Sequence, residues 1–307
     1  MIECNLKQFK SLIFSSNVFS DISYIGITGS IGRGEKDIND DNINDIDFIV
    51  IASSCNYNKK YLLDKELQKI TNTRFTDILY LNDKKFIAKV KKIYIEQYLF
   101  DFIFGNLPIY SKINLEQYKN INYKISLISA KDVLFTRLWA LIAPFKIENN
   151  NLTHRDDLYF SMYQLKKAYS AIIDAVLIKE NLYNSPQKSI KVLIFKQSSF
   201  YQSHFEVIKL VEYDKFQEFN IEVYRNVLYL YDVLIQELIG SKLSYLNFPR
   251  KIILLKSIFV SSLKKYIDDM IIKYNLITDL KNYLDGYSIN IELFNKNNNK
   301  IYIGVIK

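Results

Sequence analysis

Thr28-Gly29-Ser30-Ile31-Gly32-Arg33-Gly34-Glu35, and after a polar interval Asp45-Ile46-Asp47-Phe48-Ile49-Val50-Ile51-Ala52, are the stretches whose reading decides the fold. Ahead of the first, Ile22 to Ile27 reads as a short buried strand that ends at the glycine–serine turn. Residues 34–44, rich in Asp and Asn, predict a loop. Asp45 to Ala52 alternates and is rich in Ile, Val and Phe, which predicts a strand. Residues i and i+2 of a strand share a face, so Asp45 and Asp47 project together where the chain enters from the loop. Two such carboxylates repel each other unless a cation lies between them, and Mg²⁺ is the usual reason to place them so. Asp77, within the predicted strand Phe75 to Leu81, reaches the same ion if the two strands are neighbours. Gly29 allows close backbone approach to a phosphate, a helix N-terminus after it offers N–H groups, and the Ser30 hydroxyl adds a donor. Arg33 has two readings, a phosphate contact or a partner of Glu35 or a nearby Asp.

At these residues the chain resembles the DNA polymerase β-like nucleotidyltransferase superfamily. The carriers are Gly-Ser, a gap, Asp-x-Asp within an apolar strand, and an acidic residue on a later strand. The Gly-Ser-x-x-Arg-Gly-Glu form is most similar to the minimal branch, which includes antibiotic and toxin–antitoxin nucleotidyltransferases. The resemblance covers residues 20–112 and implies a nucleotidyltransferase fold and transfer of a nucleoside monophosphate. AMP from ATP is the leading expectation, with two Mg²⁺ ions and a hydroxyl acceptor, a small molecule first. By position it makes Asp45, Asp47 and Asp77 the catalytic metal ligands, and Gly29 and Ser30 the triphosphate contacts. The loop before Asp45 is longer than is common in the family, and Asp40 and Asp41 lie within it. Strand placement favours Asp45 and Asp47 as the pair.

The first third predicts alternating strands and helices, with helical patterns over Leu6 to Phe14 and Tyr61 to Ile70 and a mostly helical stretch from Phe86 to Phe104, stopped by Gly105. Leu107 to Tyr110 is a further short strand. From about Ala130 the apolar period becomes helical, as in Leu158, Met162, Leu165, Tyr169, Ile172 and Val176. A longer helix carries Phe216 through Leu238 and closes at Gly240, and another runs from Pro249 to Ile272. Tyr287 to Phe294 and Lys300 to Ile306 alternate around a polar turn, which predicts a C-terminal β-hairpin. The fold expected is therefore α+β: a mixed-sheet nucleotidyltransferase domain over residues 1–125, a mainly helical domain over 126–285 and the hairpin over 286–307. In the helical half Lys166 and Lys167 are candidates to meet the triphosphate as compact charges, against the ordinary role of solvated helix lysines. Asp101 is a possible substitute for Asp77 as the third carboxylate, but in its helical stretch it reads as solvent-facing. Tyr159, Phe160, Tyr163 and Tyr169 read as core or interface before they read as a stacking platform.

Composition narrows the function classes. The chain has 307 residues, enough for two domains. Its net charge of +8 favours an anionic partner, but the lysines are dispersed and form no long basic run, so nucleic acid is not the favoured partner. Two cysteines and two histidines exclude a disulfide framework and a His/Cys metal centre. No apolar run approaches the roughly 18 residues that span a membrane, and no signal-type N-terminus is seen, so a cytoplasmic protein is expected. The hairpin edge can pair with a second chain, which allows a homodimer. Two alternatives stand beside the small-molecule enzyme. One nucleotidylates a protein or RNA; the other binds a nucleotide or partner without turnover.

Overall fold

Ile22–Ile27 forms strand β1 and Gly29–Gly32 a single helical turn, α1, in a computed structural model that describes residues 19–37, 45–54, 57–71, 75–148, 151–154, 156–212, 220–239, 289–293 and 301–305. Strand β2 (Asp45–Ala52), helix α2 (Tyr57–Thr71) and strand β3 (Phe75–Asn82) follow. Next come α3 (Asp83–Val90), the short β4 (Tyr94–Ile95), α4 (Gln97–Phe104) and β5 (Leu107–Ser111). The strands assemble in the order β3-β2-β1-β5. β2 and β3 are parallel, and β1 is antiparallel to both β2 and β5. Parallel neighbours need a crossover, and α2 supplies it.

The register divides the side chains between two faces. Ile25, Ile27, Phe48 and Val50 pack with Leu63 and Leu67 of α2. On the opposite face Tyr24, Ile49 and Ile51 are also buried, beneath α3 and α4. There Phe102 stands edge-on to both Tyr24 and Phe86, with ring centroids 5.2 and 5.6 Å apart. A central strand covered on both faces explains why residues 48–52 are apolar without a break. Asn82 caps α3, its side chain accepting from the Lys85 N–H at 3.2 Å.

The stretch from Phe86 to Phe104, expected to be mostly helical, is so, as two helices with a short strand between them. α3 stops at Val90, and β4 pairs in parallel with β6 (Lys124–Ile125), which follows the short helix α5 (Glu116–Lys119). The Ile93 and Ile95 carbonyls accept from the Lys124 and Ser126 N–H groups at 2.8 and 3.0 Å. A distant strand thus takes backbone groups that local periodicity had assigned to a helix.

The described chain divides into two compact units, Met1–Ser126 with Tyr183–Lys191, and Leu127–Leu182 with Val192–Lys307. The second contains α6 (Leu127–Ile142), strands β7 (Phe145–Glu148) and β8 (Asn151–His154), and the long α7 (Leu158–Lys179). Helix α8 (Lys188–Phe195) spans the division, and α9 (Ser199–Ser203), α10 (Phe205–Lys209) and α11 (Ile221–Ile239) follow it. Periodicity had given no sign of the β7–β8 hairpin, whose strands are only four residues each. Tyr224 and Tyr231 of α11 are buried and donate to the Leu141 and Leu134 carbonyls of α6, each at 2.7 Å. Those carbonyls lie near the end of a helix or opposite α11, and the phenols pin the two helices together. Tyr169 is core, whereas Tyr159 and Tyr163 are exposed. β9 (Ile289–Leu293) and β10 (Ile301–Val305) pair antiparallel, as the C-terminal alternation predicts. The expected helices at 6–14 and 249–272, the start of the long helix at 216–219, most of the polar loop before Asp45 and the turn at 295–299 lie outside the described residues. The fold is α+β.

Candidate active site

β1 ends where β2, β3 and β5 begin, so the glycine–serine turn and the acidic start of β2 meet at one end of the sheet. The Thr28 N–H extends the β1–β2 pairing by donating to the Asp47 carbonyl at 2.8 Å. Asp47 lies directly beside Asp77 in the parallel β2–β3 register, and Asp45 precedes Asp47 by two residues. Cα partners on adjacent strands are about 4.8 Å apart with side chains on the same face, so Asp47 and Asp77 share one acidic patch. Asp47 is half-buried and Asp77 exposed.

Gly29 has φ +63°, and a Cβ there would overlap the Asp47 Oδ2 oxygen. The site therefore needs glycine twice over, for the left-handed backbone and for the room the carboxylate occupies. α1 follows at once. Gly32 N–H is its first internal donor, bonded to Thr28 O at 3.0 Å, which leaves the N–H groups of Gly29, Ser30 and Ile31 outside the helix's own bonding. Thr28 makes no side-chain cap to them. The helix expected after Gly29 is one turn long, so these amides, and not a long macrodipole, are what the turn offers an anion.

Arg33 pairs with Glu35, Nη2 to Oε2 at 2.8 Å, which realises the second of its two sequence readings. Its Nε is buried without an acceptor. Glu35 Oε1 accepts the Lys188 backbone N–H at 2.6 Å. Burial would raise the Glu35 carboxyl, but the Arg33 guanidinium and the Lys188 N–H outweigh it and hold it below the usual carboxylate value. Asp101 is not solvent-facing as its helix position suggests. Its Oδ1 accepts the Tyr183 hydroxyl at 2.7 Å, because α4 turns this residue toward residues 183–191. Tyr183 in turn accepts from Gln97 Nε2 at 2.8 Å and from the buried Lys191 ammonium at 2.7 Å. Sequence reading missed this network. Gln97 and Asp101 lie more than eighty residues from Tyr183 in the chain, and no short motif links them.

The acidic patch suits a hard divalent cation by donor chemistry, since all its donors are carboxylate oxygens. Gly29 also leaves the Asp47 carboxylate a place that any Cβ would fill. Among the described residues no group of three His, Cys, Asp or Glu side chains gathers as a metal cage; the Asp45 side chain lies outside them. Lys166 and Lys167 are on α7 in the second unit, where the Lys167 ammonium sits over the Tyr163 ring, 4.4 Å from its centroid. The first unit's geometry includes neither.

Fold and site together define an α+β protein with acidic side chains at the end of a mixed sheet, beside a glycine turn. No family model and no curated protein matches the chain. Among solved structures it is similar to spectinomycin adenyltransferase AAD(9) from Enterococcus faecialis, solved with ATP and spectinomycin. The two are 12% identical with a TM-score of 0.39, over 76% of this chain and 98% of that one. A likeness of that extent leaves the chemistry to be argued from the chain's own residues. No described helix is long and apolar enough to cross a membrane.

Proposed function

We propose that the chain is a Mg²⁺-dependent nucleotidyltransferase that moves AMP from ATP to the hydroxyl of a small molecule. One observation carries the reading: Asp47 stands beside Asp77 in register, with Gly29 packed against the Asp47 carboxylate. Asp45, Asp47 and Asp77 would hold two Mg²⁺ ions, which supply charge neutralisation at the phosphates and a more acidic acceptor hydroxyl. The amides of the Gly29–Ser30 turn and the Ser30 hydroxyl orient the triphosphate so that the acceptor oxygen lies in line with the bond to be broken. The acceptor oxygen bonds to the α-phosphorus, the bridging α–β P–O bond breaks, and pyrophosphate leaves. The hydroxyl proton passes to a carboxylate of the patch. Arg33, paired with Glu35, lies next to the turn, where its guanidinium N–H groups can donate to a phosphate.

The test is incubation with α-labelled ATP, Mg²⁺ and a panel of hydroxylated small molecules, with protein and RNA acceptors alongside. Labelled small-molecule product that disappears in Asp47→Ala is expected. Label on protein or RNA instead would move the acceptor to the macromolecular reading. Mg²⁺-dependent ATP binding with no product on any acceptor would leave a binding module.

A further inference from the structure

Residues 183–191 leave and rejoin the chain of the second unit, yet they fold with the first. One of their contacts there reaches Glu35, whose own backbone N–H is tied to the glycine–serine turn. Ser30 O accepts the Glu35 and Lys36 N–H groups at 2.8 and 3.3 Å, and Gly29 O accepts the Arg33 N–H at 3.1 Å. The Glu35 carboxylate is then shared between Arg33 Nη2 and the Lys188 backbone N–H. The Arg33 stem crosses Gly105, where a Cβ would stand 2.7 Å from Arg33 Cγ and 3.1 Å from Pro186 Cγ. Behind it, the Tyr183 hydroxyl joins Asp101, Gln97 and Lys191, and the Tyr183 ring packs edge-on to Phe100 at 5.6 Å. The turn that faces Asp47 is thus fixed on its outer side by a segment about 150 residues further along the chain.

We propose that Glu35 and Tyr183 are positioning residues. Through the Arg33–Glu35–Lys188 link and the Tyr183 hub, residues 183–191 brace the Gly29–Ser30 turn in the geometry that receives the triphosphate. The proposal rests on the transferase reading and adds to it a function for residues 183–191. Linked hydrogen bonds of this kind hold one another in place, so the loss of one partner is felt along the network. Removing the Glu35 charge leaves Arg33 without its carboxylate and a single amide oxygen where two carboxylate oxygens had served Arg33 and the Lys188 N–H. Removing the Tyr183 hydroxyl unlinks α4 from the brace.

Two variants test it, Glu35→Gln and the double change Tyr183→Phe with Lys191→Met, which removes the buried ammonium together with its acceptor. Each is titrated with Mg²⁺ plus a non-hydrolysable α,β-methylene ATP analogue, and separately with AMP. Amide hydrogen exchange is followed at Glu35, Lys36 and β2. The expected result is about tenfold weaker analogue binding, the scale on which supporting partners act. AMP binding and β2 protection stay unchanged, and exchange at the Glu35 and Lys36 amides speeds up. Unchanged analogue affinity overturns the brace. So does equal weakening of both nucleotides, or loss of protection throughout the sheet, since each marks a merely structural network. If the wild-type chain binds no analogue, the transferase reading fails and the brace falls with it. Wild-type binding with unaltered variants sinks the brace alone.

Discussion

Asp47 joins the glycine turn to the sheet. Its backbone pairs with Thr28, its carboxylate lies against Gly29, and Asp77 is its neighbour in the sheet. Asp47→Asn keeps the size and removes the charge. A metal-held charge is worth several kcal/mol to the transition state, so transfer to the acceptor falls by about a hundredfold or more, read as labelled product per unit time. Gly29→Ala meets two penalties. The left-handed backbone costs about 1 to 2 kcal/mol for a residue with Cβ, and the Asp47 carboxylate must move. A lower urea midpoint together with lost Mg²⁺-dependent ATP binding is the expected pair of results; a stable variant that still binds would show the contact to be dispensable. Glu35 gives a pH signature. Against the effect of burial, the Arg33 guanidinium and the Lys188 N–H hold its folded carboxyl below the ordinary value, so on acidification protons bind the unfolded chain first. The stability it contributes is present above the unfolded value and is lost as pH falls through the lower folded value. Thermal melts between pH 6 and 3 check this: Glu35→Gln, less stable at pH 6, should approach the wild type as the pH drops.

The elements that carry the site are held by ordinary core packing. α2 bridges β2 and β3, and Leu63 and Leu67 lie under the sheet at 1% and 0% exposure. Leu67→Ala should therefore cost about 2 to 5 kcal/mol, measured by urea denaturation. At temperatures where the variant stays folded its affinity for Mg²⁺·ATP should match the wild type, because α2 packs on the face opposite Asp47 and Asp77. A large loss of affinity without unfolding would mean that the crossover helix does more than hold the two strands in register. The strands and α2 were legible because their patterns are local. Periodicity identifies a strand or a long helix from neighbouring residues alone. The break between α3 and α4 was not legible, since β4 exists only by pairing with β6 some thirty residues later. Local alternation also could not announce β7 and β8, each too short to show a period.

For the molecule as a whole, the +8 charge and the open acidic patch pull in opposite directions. Electrostatics on this scale raises the local concentration of an anionic ligand, while the patch repels it until divalent cations are present. ATP with Mg²⁺ should raise the melting temperature, and ATP with a chelator should not. Saturation at about 100 times the Kd adds about 2.7 kcal/mol by mass action. An equal shift in both conditions would place the nucleotide away from Asp47. The sequence by itself determined the α+β class, the two acidic stretches and their order, because hydrophobic period and turn residues are properties of adjacent positions. That Asp77 stands level with Asp47 needed the β2–β3 register, which only the packed sheet sets. That Glu35 holds the Lys188 amide and Asp101 the Tyr183 hydroxyl needed a chain folded back over more than eighty residues. Such contacts leave no trace in local composition, since their partners are chosen by the cost of burying an unmatched polar group once the chain has closed.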